Sequence, residues 1–322
     1  MNNKLGDKDT SERLISELYI ELRRRVNEWA AVTMQTAQAR MGYVGQHLVS
    51  VVTGYPGGRS GARGYDLILP TGYGEIKTCY RVDQLGKCID CSAVVASIES
   101  ECPACDSTNI RRNDDSKWLI SIKSPEELQL TLDPVVYYLV LFDFTDLNDP
   151  HTIRASIYEV DPKAPGFALA MVDYFYNIRA NSNSQAPFNL WPFQLKFDLM
   201  RPKLIYRSLI HKDDSIETII FPGENEPELA SEIDLLKYRR GRVLEKDALQ
   251  AFAARLNLEL DSTKSKVQML TELQDSLSES SFSQEDVCDA LAKAIYQPKV
   301  SKNFETMLRA LRVRLEDSNF LE

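Results

Sequence analysis

The sequence holds no apolar run near the roughly 20 residues needed to cross a bilayer. Residues 1–11 are polar where a secretory leader would carry an apolar core. Neither a membrane span nor export is expected, and a cytoplasmic, reducing setting is the default. Histidine is scarce, and His47, His151 and His211 form no metal-ligand spacing. An excess of basic charge is also missing: 38 Lys and Arg stand against 47 Asp and Glu, for a formal net charge of −9. That balance argues against a protein that gathers nucleic acid by overall positive potential, but it leaves room for a local basic cleft in an acidic exterior. No internal repeat or long low-complexity tract is present. Hydrophobic residues at 43% and charged residues at 26% are ordinary for a folded chain.

Cysteine is sparse but clustered. Of six, Cys79 and Cys288 are isolated, while Cys88-x-x-Cys91 and Cys102-x-x-Cys105 fall together. Four thiolates at this spacing suit closed tetrahedral Zn²⁺, with Zn–S near 2.3 Å and no open position for catalysis. Pro103 and Asp106 suit the tight turns of such knuckles. Disulfides or a redox pair are the competing readings, and they lack a secretory or thioredoxin-like setting. A structural zinc ribbon over 86–113 is expected. Arg111 and Arg112 follow it and are candidates for phosphate contact, or plain solvated charges.

A chain of 322 residues suits two domains or one elaborated domain. Residues 11–36 read as a helix, with Leu14, Leu18, Leu22, Val26 and Trp29 at three- and four-residue steps. A second helix, about 37–52, carries Met41, Val44, Leu48 and Val52 on one face. Glycines at 54, 57, 58, 61 and 64, mixed with Arg59 and Arg63, make a loop that either approaches a phosphate backbone through its arginines or is a plain flexible surface loop. Strands are expected at 65–69, 75–80, 118–123, 135–144, 155–160, 203–209 and 217–221, with a helix at 167–178. The stretch 135–144 is apolar enough for burial on both faces. From 226 onward the pattern is helical. The expected architecture is an α/β core with a mixed central sheet over 1–223, interrupted by the ribbon, then a helical domain over 224–322.

The strongest catalytic signal is Gly64-Tyr65-Asp66-Leu67-Ile68-Leu69 followed, after a turn, by Glu75-Ile76-Lys77. Two carboxylates suit Mg²⁺, which prefers hard oxygen ligands. A lysine beside them can orient the attacking water or steady the phosphate charge in phosphodiester hydrolysis. Glu75 and Lys77 are two apart and share a strand face. With a four-residue loop from Pro70 to Tyr73, Leu69 pairs with Gly74 and Asp66 falls opposite Lys77, with Glu75 diagonal to it. The bland alternative is a hairpin face whose charges form a cross-strand ion pair. Asp115-Ser116-Lys117 and Asp161-Pro162-Lys163 are rival strings without an upstream hairpin aspartate.

The segment Gly42-Tyr43-Val44-Gly45-Gln46-His47-Leu48, the Gly/Arg loop, the hairpin through Cys79, and Arg81 to Gly86 with the cysteine cluster together resemble type II restriction endonucleases, most closely the MamI-type family. The resemblance covers about 41–105. It implies a PD-(D/E)xK fold, Mg²⁺-dependent cleavage of double-stranded DNA and action as a homodimer. Asp66 and Glu75 would then hold metal, and Lys77 would be the catalytic lysine. Tyr65 stands in the motif's proline position. Gln46 stands where such enzymes often carry a helix glutamate, and would be at most a neutral ligand to metal or water. The alternatives are a less specific repair or phage-type nuclease, and a non-catalytic zinc-ribbon DNA-binding protein.

Overall fold

The computed structural model describes residues 4–35, 37, 42–58, 65–97, 99–112, 116–147, 149–225, 228–229, 232–239 and 244–311, the stretch 301–311 as helix backbone only. Helices α1 (Lys8–Leu14), α2 (Leu22–Thr33) and α3 (Gly42–Thr53) precede strands β1 (Leu67–Leu69) and β2 (Gly72–Tyr80). Three short strands follow: β3 (Gly86–Cys88), β4 (Val94–Val95) and β5 (Ile110–Arg111). Then come β6 (Trp118–Ile120), α4 (Pro125–Leu132), β7 (Val136–Asp146), β8 (Asp149–Val160) and α5 (Pro165–Asp173). The remainder is β9 (Phe188–Leu190), α6 (Leu195–Asp198), β10 (Lys203–Ile210), β11 (Ile216–Ile220), β12 (Glu228–Leu229), α7 (Lys246–Arg255), α8 (Lys266–Glu279) and α9 (Gln284–Leu311).

Contacts group the chain into two units. The first comprises 1–118, 135–160 and 203–228; the second comprises 119–134, 161–202 and 229–322. The first is built on a mixed sheet ordered β1-β2-β7-β8-β10-β11, with β12 joined to β10. β2 and β7 run parallel, and the other pairs on that path are antiparallel. β7 is the run Val-Tyr-Tyr-Leu-Val-Leu-Phe, residues whose branched and aromatic side chains fit a pleated surface. It is buried on both faces from Val136 to Phe144, as its composition implied. Val136, Tyr138, Val140, Phe142 and Phe144 share one core with Val44, Leu48, Val49 and Val52 of α3 and with Ile15 and Tyr19. The odd-numbered side chains, Tyr137, Leu139 and Leu141, occupy the opposite face and are equally buried.

At the sheet's edge, β1 is three residues long, and the Ile68 N–H that points away from β2 donates to the Pro56 carbonyl at 2.9 Å.

The N-terminal helix differs from the expected one. A wide π turn over Ile15–Glu21 separates α1 from α2 and resets the phase of the helix surface. Ser11, Ile15 and Tyr19 go inside, while Leu18, Leu22 and Trp29 of the anticipated apolar face are exposed. The same helix carries the basic run Arg23-Arg24-Arg25. Arg23 reaches inward to Asp83 at 2.5 Å with both groups mostly buried, and Arg24 and Arg25 pair with surface carboxylates.

In the second unit, α4 starts at Ser124, which caps the Glu127 N–H, with Pro125 in the first turn where its missing N–H costs nothing. α5 carries Gly166 against the Leu199 carbonyl, where an added Cβ would stand 1.7 Å from that oxygen. α8 begins with a capping box between Ser265 and Gln268. The helical pattern read from 226 onward is broken by loops at 256–265 and 280–283, which separate α7, α8 and α9. Among the described residues no helix is long and apolar enough to cross a membrane.

Candidate active site and metal centre

β1 and β2 pair as Leu67↔Gly74, Ile68↔Tyr73 and Leu69↔Gly72, so the turn is the two residues Pro70 and Thr71. This corrects the expected four-residue loop. The shift is by two positions, so side-chain parity is preserved. Continued one step, the register sets Asp66 opposite Glu75 rather than opposite Lys77. The tighter turn is possible because Gly72 sits at φ 152° with its Cα close to Val135, where a Cβ would meet the Val135 side chain at 2.8 Å.

Each oxygen of Asp66 is held. Oδ2 accepts the Ile76 backbone N–H at 2.9 Å, and Oδ1 accepts Nε2 of Gln46 at 2.8 Å. Gln46 reaches it because α3 lies hard against β2: a Cβ on Gly45 would stand 2.2 Å from Thr78 Oγ1. Burial, then the negative charge of Glu75, pushes the Asp66 carboxyl above the usual carboxylate range, against the opposing pull of the Ile76 N–H and Lys77. Lys77 Nζ donates to Glu75 Oε1 at 2.5 Å, within its own strand, and both side chains remain about a quarter exposed. The cross-strand ion pair of the bland reading is therefore not what forms. The strand-local pair leaves two carboxylates on adjacent strands, one of them raised in proton affinity by the other.

Two neighbours were not anticipated. Tyr137 of β7 is the register partner of Glu75 and is 2% exposed. Burial and then the Glu75 charge push its phenol well above its ordinary value, so it stays a neutral hydrogen-bond donor. Tyr65 and Tyr73 lie ring to ring with centroids 3.9 Å apart, and Tyr65 is more than half exposed beside Asp66. Tyr137 had no local signal, since its place depends on a parallel pairing across the ribbon. Arg59 and Arg63 lie outside the described residues.

In the ribbon, β3 pairs with β4 and with β5. The Sγ atoms of Cys88, Cys91, Cys102 and Cys105 all lie within 4.8 Å of one another, with Cys88–Cys105 at 3.6 Å and Cys91–Cys102 at 3.5 Å. A tetrahedron of 2.3 Å Zn–S bonds has edges of about 3.8 Å. The two halves repeat one turn. The N–H of Cys88 and of Cys102 donates five residues on, to Ala93 and Ser107, while their carbonyls accept from Ser92 and Asp106. Ser92 and Asp106 both take positive φ, at 66° and 57°. The backbone N–H of Cys91 pulls the Cys88 thiol down to about 7, whereas Cys91 and Cys105, pulled down by the N–H groups of Ala93 and Ser107, are pushed up further by contact with the other thiols, Cys105 to about 12. The four cysteines can thus hold a metal such as zinc. For Cys79 and Cys288 it is burial that pushes the thiol up to about 12.

Arg111 is exposed at the ribbon's end. Arg112 is engaged: its guanidinium donates to the carbonyls of Ser97 and Glu99 at 2.7 Å each and lies 5.6 Å from the Phe144 ring centre. It clamps the ribbon to β7, which removes it from the free cations available to a phosphate.

Residues 28–235 match the MamI restriction endonuclease family, almost two thirds of the chain. No curated protein and no solved structure matches it. The matched span takes in α3, the hairpin, the cysteine ribbon and β7 to β12. The protein is thus of the restriction endonuclease class, sequence-specific nucleases that act on double-stranded DNA. The chain belongs to the MamI restriction endonuclease family.

Proposed function

We propose that the chain is a type II restriction endonuclease with a PD-(D/E)xK core, hydrolysing phosphodiester bonds in duplex DNA with Mg²⁺, and that Asp66, Glu75 and Lys77 do the chemistry. The observation that carries this reading is the hairpin register, which sets Asp66 beside Glu75 on one face, inside the matched family span. Two hard-oxygen donors on adjacent strands fit a divalent cation better than they fit each other. Asp66 and Glu75 would hold Mg²⁺, which when bound supplies charge neutralisation at the phosphate and a more acidic water.

The chain's own contributions follow from its contacts. Gln46 and the Ile76 N–H fix both oxygens of Asp66, so little reorganisation is left for the moment of reaction. Gln46 acts here by positioning Asp66. Lys77 orients the attacking water and, once its carboxylate partner turns to another cation, is free to steady charge on the phosphate. The ribbon binds one structural Zn²⁺ through Cys88, Cys91, Cys102 and Cys105. Two copies act together, because one such site cuts one strand of a duplex.

Incubation of the purified protein with plasmid DNA and Mg²⁺ or Mn²⁺ tests the reading. Discrete fragments are expected, and Glu75→Ala and Lys77→Ala are expected to abolish them. A smear would move the assignment to a less specific nuclease. No cleavage under any divalent cation would favour a DNA-binding protein without catalysis.

A further inference from the structure

Among the described residues, the helix stripe displaced by the π turn is left largely uncovered. α2 spans twelve residues and buries none of them. Its outer face nevertheless carries Leu22, Trp29 and Val32, with Trp29 67% and Val32 74% exposed, and the half-buried Val26 lies at the edge of that face. At 100° per residue, Leu22, Arg25, Val26, Trp29 and Val32 fall within about one third of the helix circumference. Met34 caps the end in a left-handed conformation and is 88% exposed. Single exposed apolar residues are ordinary; a contiguous apolar stripe on the outer side of a helix whose inner side, Arg23, Asn27 and Ala30, is half-buried marks an interaction surface.

We infer that this stripe is the surface on which a second copy of the chain docks, α2 against α2 in antiparallel register. The pattern is self-complementary. About a two-fold axis at the level of residue 27, Leu22 meets the partner's Val32, and Arg25 meets the partner's Trp29. Apolar groups then cover apolar groups twice over, and each guanidinium lies over an indole face, its most favourable aromatic partner. Arg25 is held near that position by Glu21 at 2.9 Å and Glu28 at 3.0 Å, so the polar flank of the stripe is already neutralised. The contact is isologous, as a two-fold pair requires.

The choice of a second copy as occupant rests on the nuclease reading: the strands of a duplex are themselves related by a two-fold axis, and an isologous helix pair supplies the same symmetry. The stripe offers on the order of several hundred Å² per protomer, short of the roughly 800 Å² per partner in a standard interface. Association is therefore concentration-dependent and is reinforced when a duplex holds both copies.

Sedimentation at tens of micromolar tests the inference on three proteins: the wild type, Trp29→Glu/Val32→Glu, and Leu130→Glu as a control. Leu130 is a 59% exposed residue on α4. The wild type and the control are expected at twice the chain mass. The double variant is expected at the single-chain mass, with an unchanged melting temperature and unchanged zinc content. A single-chain mass for the wild type, or a dimer that survives the double substitution, overturns the inference. Loss of duplex affinity without a change in mass also overturns it and assigns the stripe to DNA. A wild type that cuts no DNA but dissociates on substitution sinks the nuclease reading and leaves the interface standing.

Discussion

The cysteine ribbon takes its four thiols from residues 88–105 and closes them on one another, with two copies of the same turn. The hairpin site draws Gln46 from a helix, Asp66 from the end of an edge strand, Glu75 and Lys77 from the next, and Tyr137 from a strand beyond the ribbon. One centre is local and brings four possible metal ligands together; the other is assembled across the unit and left partly exposed. Completeness stabilises, whereas open positions allow chemistry. The contrast predicts that damage to the two centres will register in different measurements.

The largest separation is expected from Lys77→Ala and Glu75→Ala. Each should lower the DNA cleavage rate by roughly 10³-fold or more, as for loss of an acid–base or charge-stabilising group. Both should leave the melting temperature close to wild type, because each change opens only a strand-local ion pair that solvent still reaches. Residual metal-dependent cleavage near the wild-type rate would place the reaction elsewhere. Next is Cys102→Ser, read by elemental analysis and thermal melting. Zinc should fall from about one per chain to near zero, with a stability loss of roughly 2–5 kcal/mol for a broken structural centre. A variant that keeps its metal would break the comparison at its structural end.

Gln46→Ala should be milder, raising the Mg²⁺ concentration needed for half-maximal rate by roughly 10–100-fold, the range for outer partners of metal ligands. An unchanged metal dependence would show that the Ile76 N–H suffices to place Asp66. The smallest effect concerns pH. The folded state raises the Asp66 pKa, so ionising that group opposes folding: its favourable contribution is present at low pH and is lost as pH rises through the folded value. Asp66→Asn should therefore melt higher than the wild type near neutrality, with the advantage fading as pH falls into the carboxylate range. A constant difference across pH would contradict the assigned origin of the shift.

Legibility in the sequence divides along the same line. The ribbon could be read whole because its ligands are local and their spacing is set by a tight turn. The hairpin gave its residues and its shared face, since strand parity is a property of spacing alone. Its register was missed because Pro70 to Tyr73 admits both a four- and a two-residue turn, and only packing of Gly72 against Val135 selects the shorter. Arg112 looked like a free cation because the carbonyls that bind it lie back along the ribbon, at 97 and 99. The N-terminal helix misled more: its period was right, yet a π turn sent Ile15 and Tyr19 inward and turned Trp29 out.

The three-residue strand that carries Asp66 at its threshold has one more consequence. A sheet edge exposes unpaired amides that can recruit a stray strand and seed aggregation. Here β1 is too short to serve as a template, and its outward amide at Ile68 is already spent on the Pro56 carbonyl. The border of the sheet beside the carboxylates is thus sealed against β-type association, so a large polyanion can approach it without the protein polymerising through the same opening.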